Sequence, residues 1–135
     1  MQRAAFFGVQ QADGNHFFRM TLTDAGIKTL QIYRLAPLNT HTNGHLDYSV
    51  RLRGEDLKTV SNTGKLCGIS LSFFDAAGRF VSPGPLLDVG KAALWTHLSA
   101  RVAIPPRATS VRIHLELRGA TGTLDFDDLR AVFVE

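Results

Sequence analysis

Three carboxylates fall within four residues in Asp125-Phe126-Asp127-Asp128. Such a cluster repels itself unless a cation sits among the groups, and hard oxygen ligands of this kind suit Ca²⁺. The alternative is that the three are solvated or pair with an arginine such as Arg130. A second chemistry open to carboxylates is glycoside hydrolysis, which needs two that converge. Glu116 and Asp125 lie on segments that adjacent strands would bring together. Glu116 alternates with Arg112, His114 and Arg118, cations that hold a carboxylate ionised instead of raising its pKa. A salt-bridged sheet surface accounts for it better. No Gly-x-Ser-x-Gly elbow, phosphate-binding loop or His-Glu-x-x-His is present. His41 and His45 flank Asn43-Gly44 in a turn without a third ligand nearby, a poor zinc pattern. Cys67, the single cysteine, lies in the apolar run Leu66-Cys67-Gly68-Ile69 and reads as a buried structural thiol.

The segments that must carry these groups alternate. Residues 111–118 place Val111, Ile113, Leu115 and Leu117 on one face and Arg112, His114, Glu116 and Arg118 on the other. Residues 46–53 repeat the scheme, with Leu46, Tyr48, Val50 and Leu52 inward and Asp47, Ser49, Arg51 and Arg53 outward. Ile69, Leu71 and Phe73 oppose Ser70, Ser72 and Phe74, and Leu98, Ala100, Val102 and Ile104 give a fourth stripe. Less regular strands are expected over residues 16–22, 29–35 and 123–134. Turn chemistry separates them, as in Asn43-Gly44, Asn62-Thr63-Gly64 and Asp75-Ala76-Ala77-Gly78. Only residues 86–94 have room for a helical turn, which Gly90 weakens. Seven or eight short strands without a linker or repeat predict one all-β domain over residues 1–135, a two-sheet antiparallel β-sandwich or a barrel, of which the sandwich is the expectation.

Composition narrows the function classes. Charged residues are 20% and apolar ones 44% of the 135-residue chain, ordinary for a packed domain. No apolar run reaches the 18 residues of a membrane span, and the first seven residues lack a secretory h-region and cleavage site. The net charge is +3, with eleven Arg against four Lys scattered along the chain. No basic stripe or motif points to nucleic acid. The arginine bias suits forked contact with carboxylates, sulfates or phosphates.

The last third reads Trp95-Thr96-His97-Leu98, Val102-Ala103-Ile104-Pro105, Val111-Arg112-Ile113-His114-Leu115, then Gly122-Thr123-Leu124-Asp125-Phe126-Asp127-Asp128-Leu129. This series resembles the C-terminal half of carbohydrate-binding modules with the galactose-binding-domain-like jelly-roll fold, as appended to polysaccharide-degrading enzymes. Gly14-Asn15-His16-Phe17-Phe18-Arg19, residues 46–53 and Leu71-Ser72-Phe73-Phe74-Asp75-Ala76-Ala77-Gly78 extend the likeness over most of residues 13–134. The resemblance implies a structural calcium held through Asp127 or Asp128 with an acidic partner near the N-terminus. It also implies that Trp95 packs between the sheets. Family members begin with a further segment that is short here. Either the domain is trimmed, leaving a sheet edge exposed for self-association, or residues 3–10 supply an irregular first strand.

Sugar recognition requires flat rings against C–H faces and planar polar groups that fork hydrogen bonds to hydroxyls. Parity places such groups on the polar faces. Phe74 is the odd aromatic there, and Tyr33 with Gln31 makes a similar pair on residues 29–35. A groove lined by Tyr33, Arg51, Phe74, Arg112 and His114 is the expected site. The implied function is a non-catalytic module that docks a polysaccharide or oligosaccharide on a sheet face or in a loop-edge groove, with a leaning toward acidic glycans. Its implied setting is extracellular or periplasmic, beside a glycoside hydrolase or polysaccharide lyase. The competing expectation is a structural or protein-binding jelly roll of a larger secreted protein. A small hydrolase dependent on Glu116 is the third.

Overall fold

The structure, a computed structural model, describes residues 5–12, 14–27, 29–38, 44–60, 64–90 and 93–134. Ten strands follow one another: β1 Ala5–Ala12, β2 Asn15–Leu22, β3 Thr29–Pro37, β4 His45–Thr59, β5 Leu66–Phe74, β6 Phe80–Pro83, β7 Leu87–Asp88, β8 Thr96–Ala103, β9 Ser110–Arg118 and β10 Ala120–Val134. They pair antiparallel throughout. Sheet I has the order β1-β2-β10-β4-β8. Sheet II has the order β3-β9-β5-β6, with β7 also on β5. The expected two-sheet sandwich is therefore present.

Period-two alternation puts one row of each strand between the sheets. Met20 and Leu22 of β2, Leu46, Val50 and Leu52 of β4 and Leu124 and Phe126 of β10 come from sheet I. Cys67, Ile69, Leu71 and Phe73 of β5 with Val111 and Leu117 of β9 meet them from sheet II. Each large side chain so buried contributes about 1.5–3 kcal/mol. The buried Tyr48 phenol donates its hydroxyl hydrogen to the Pro85 carbonyl, and burial pushes its pKa up to about 12. Burial also raises the Cys67 thiol, in line with its structural reading.

Three expectations change. β1 is a regular strand, paired residue for residue with β2 from Ala5↔Leu22 to Ala12↔Asn15, so β2 is not a sheet edge. Residues 86–94 hold no helical turn among those described. Leu87 and Asp88 instead pair with Ile69 and Gly68 of β5, because Leu87 fills a core position that a helix would point elsewhere. The last strand begins at Ala120 and breaks register between Asp127 and Arg130, with Asp128 at φ 50°. That bulge turns the chain by one residue, so that Ala131 stands opposite inward-facing Tyr48.

Gly68 lets β7 close on β5, since a Cβ there would lie 1.8 Å from the Leu87 carbonyl oxygen. Backbone cannot yield as a flexible side chain does. Gly68→Ala is expected to lower stability by about 1–3 kcal/mol, the range for forced overpacking. Urea unfolding followed by tryptophan fluorescence checks it, and an unchanged midpoint would contradict the close approach.

Candidate functional site

β9 is flanked by β3 and β5 in continuous register, with Tyr33↔His114↔Ser70 and Leu35↔Arg112↔Ser72 as consecutive outward rows. Tyr33 and Phe74, which stands opposite Ser110, are both diagonal neighbours of Arg112, within reach of a long side chain. The Arg112 guanidinium carbon lies 4.6 Å from the Tyr33 ring centre and 4.7 Å from that of Phe74. A ring–guanidinium–ring row therefore crosses three strands on the outer face of sheet II. Tyr33 remains 55% exposed. Arg112 Nε is shielded from solvent and has no hydrogen-bond partner among the described residues, so stacking, not donors, holds this cation.

Polar groups continue the face. His114 Nδ1 is 3.2 Å from Gln31 Oε1, and its ring lies 5.4 Å from that of Tyr33, tilted by 38°. Burial holds the His114 pKa below its ordinary value, opposed by Glu116 and reinforced by Arg112 and Arg118. The Ser70 hydroxyl donates to Glu116 Oε2 at 2.7 Å, and Arg118 stands 3.8 Å from the other carboxylate oxygen. Two guanidiniums thus share a face with one carboxylate, itself only 4% exposed.

Four of the five expected site residues, Tyr33, Phe74, Arg112 and His114, come together here. Arg51 does not. It stands on the outer face of sheet I, because β4 belongs to that sheet and outward residues of the two sheets point in opposite directions. Sequence reading also missed Phe80, 59% exposed and edge-on to Phe74 at 6.2 Å. The tight turn after Asp75, closed by backbone bonds between Asp75 and both Gly78 and Arg79, returns β6 with Phe80 opposite Phe74. The turn motif carried that signal.

Sheet I uses its outward arginines differently. Arg19 and Arg53 both fork onto Asp125, with Nε and Nη contacts of 2.8–3.1 Å. Arg19 and Arg53 also lie over Phe17 at 5.3 Å. Arg53 and Arg51 lie over Trp95 at 4.5 and 5.2 Å, and the two rings meet edge-on. Trp95 is therefore outside the sheets, contrary to the implied packing. Thr96, directly after it, pairs with inward-facing Leu52, and alternation sends the preceding side chain outward. These rings are covered by the protein's own cations.

Asp127 accepts the Asn15 amide at 2.8 Å and the Asp128 backbone N–H at 2.9 Å. Arg51 lies 3.8 and 3.6 Å from Asp127 and Asp128, taking the cationic place expected of Arg130 or calcium. No group of three His, Cys, Asp or Glu residues suited to a metal occurs among the described residues. Two carboxylates that face a guanidinium do not supply the six to eight oxygens of a calcium shell. The implied N-terminal acidic partner is absent from the sequence before Asp13, and Asp13 itself, like His41 of the zinc pattern, lies outside the described residues.

The carboxylate pair of the hydrolase expectation does not form. Glu116 projects from sheet II and Asp125 from sheet I, on opposite outer faces. A loop-edge groove of about 830 Å³ does exist, lined by Arg53, Glu55, Asp56, Leu57, Lys65 and Gly90 among others. Among the described residues that line it, none carries a ring on which a sugar could stack.

The sequence matches no family model, and no curated protein matches it. The fold does have solved counterparts. The enzymatically active domain of bacteriophage CBA120 tailspike protein 4 superposes with a TM-score of 0.70 at 10% identity, over 98% of this chain. This chain spans only 18% of that one. A CBM4 carbohydrate-binding module is similar at TM-score 0.64 and 19% identity, covering 94% of this chain and 76% of its own. The CBM22-1 xylan-binding domain of Paenibacillus barcinonensis Xyn10C gives 0.56 at 14%, covering 99% and 84%. The β-sandwich of carbohydrate-binding modules is thus the fold of this chain.

Asp125 neutralises two stacked guanidiniums, so Asp125→Ala is expected to cost about 1–3 kcal/mol. That is less than the 3–5 kcal/mol of a fully buried pair, because the two arginines are about a third exposed. Thermal denaturation at low salt reads it, and a melting temperature equal to wild type would show that the clamp is ornamental.

Proposed function

We propose that the chain is a non-catalytic carbohydrate-binding module that docks a glycan chain across the outer face of sheet II. The observation that carries this reading is the Tyr33–Arg112–Phe74 row. Its rings and guanidinium offer flat surfaces to sugar C–H faces, and Gln31, Ser70, Ser72 and His114 border it with hydrogen-bonding groups. The shared fold supports the reading by analogy, because the similar structures include a xylan-binding domain and a module bound to β-1,4-galactotriose. Sheet I is the poorer platform, since Phe17 is only 7% exposed whereas Tyr33 is 55% exposed.

The glycan we infer is acidic. Arg112 and Arg118 share the outer face of sheet II with a single buried carboxylate, Glu116, and this excess of guanidinium charge suits a uronate. The setting that follows is an extracellular or periplasmic protein in which the module holds a glycoside hydrolase or polysaccharide lyase against its polymer.

Native gels cast with polygalacturonate, glucuronoxylan or neutral hydroxyethylcellulose test this. Wild type is expected to be retarded most by the uronic polymers, with retardation falling as salt rises. Tyr33→Ala, Phe74→Ala and Arg112→Ala each weaken it about tenfold, equivalent to roughly 1.4 kcal/mol, while Arg51→Ala on the opposite face leaves it unchanged. Equal mobility in every gel would overturn the lectin reading. Stronger retardation by the neutral polymer would overturn the acidic preference alone.

A further inference from the structure

We infer that a second copy of this chain pairs with β3 along its free edge, antiparallel and about a two-fold axis at Tyr33. β3 is the end strand of sheet II and runs in unbroken register with β9 from Thr29↔Arg118 to Pro37↔Ser110. No strand among the described residues pairs with its other edge, so alternate N–H and C=O groups along nine residues point away from the sheet. The usual guards of such an edge are sparse: no bulge, no lysine on the described strand, one charge at Arg34, and a proline only at the last position.

Exposed apolar residues flank that edge on both faces. Tyr33 and Leu35 are 55% and 54% exposed on the outer side. Ile32 faces the core by parity, opposite Leu115, yet is 39% exposed. Beneath it the mouth of the sandwich stays open as a groove of about 400 Å³ lined by Ile32, Ile113, Leu115, Leu129 and Ala131. A neighbouring groove of about 370 Å³ shares Ile32, Leu115 and Leu129.

A second β3 satisfies the edge in a way that charge and length both favour. Tyr33 is the midpoint of Thr29–Pro37, so pairing centred there uses the whole strand. It sets Arg34 against Ile32, Leu35 against Gln31 and Ala36 against Leu30, and keeps the two Arg34 side chains from facing each other. A two-fold centred on Arg34 would juxtapose them, which like-charge pairing disfavours. Each copy brings Ile32 to the rim of its partner's groove, and the two outer faces join into one sheet of doubled width. If the glycan reading holds, the joined face carries two Tyr33–Arg112–Phe74 rows and engages a polymer twice. The dimer itself does not rest on that reading.

Analytical ultracentrifugation of the whole chain without glycan, over a dilution series, tests the pairing. The expected result is a mass rising with concentration toward twice 14.8 kDa. Ile32→Lys and Leu35→Lys, on opposite sides of the strand, are each expected to raise the dissociation constant about tenfold or more, with circular dichroism melts confirming that both fold. Tyr33→Cys should cross-link to its own copy on oxidation. Thr29→Cys should not, because the two Thr29 residues would sit about 27 Å apart at 3.4 Å per residue. A monomer at every concentration, a dimer indifferent to both lysines, or equal cross-linking from Thr29→Cys would overturn the proposal. None of these outcomes bears on glycan retardation, so the two readings fail separately.

Discussion

The candidate site depends on the two-residue period of β9. Burying Val111, Ile113, Leu115 and Leu117 toward the core obliges Arg112, His114, Glu116 and Arg118 to stand together on the other side. Because β9 lies between β3 and β5, those four side chains stand within the sheet and not on its outermost strand. They meet what the neighbours present at the same rows: Gln31 and Tyr33 on one side, Ser70, Ser72 and Phe74 on the other. A shift of one residue in register would exchange the core row for the outer row. The same packing that stabilises the sandwich therefore assembles the candidate site.

The two outer faces take the same ingredients, arginine and aromatic rings, to opposite ends. On sheet I a buried carboxylate, Asp125, draws Arg19 and Arg53 into forked contacts and the rings of Phe17 and Trp95 fill in around them. Charge and stacking capacity are used up within the protein. On sheet II, Arg112 stacks between Tyr33 and Phe74 without a carboxylate fork, and the one acid nearby, Glu116, is engaged by Ser70. What differs is the placement of a single aspartate, Asp125, which engages two arginines on sheet I and has no counterpart beside Arg112 among the described residues of sheet II.

Alternation made the sandwich legible in the sequence, since β4, β5, β8 and β9 each show their inward and outward rows directly. Parity on β5 and β9, with β3 beside them, brought Tyr33, Phe74, Arg112 and His114 to one face. Arg51 did not join them, because parity says that a residue points outward but not from which sheet; that assignment depends on strand order, a long-range property with no local signature. Trp95 shows the converse. Its neighbour Thr96 fixes its direction once β8 is known to pair with β4, yet a resemblance alone pointed inward. β1 was hard to see because glycine and glutamine interrupt the apolar pattern of Ala5–Ala12, and its pairing with β2 is what makes it a strand.

The most direct test of the central claim is an amide-resolved NMR titration of the chain with an oligogalacturonate. The account predicts shift changes that cluster on β3, β9 and β5 around Tyr33, Ser72, Arg112 and His114, with Arg53, Trp95 and their neighbours on sheet I undisturbed. Changes confined to the loop-edge groove beside Lys65 and Gly90, or to the Trp95 face, would contradict it.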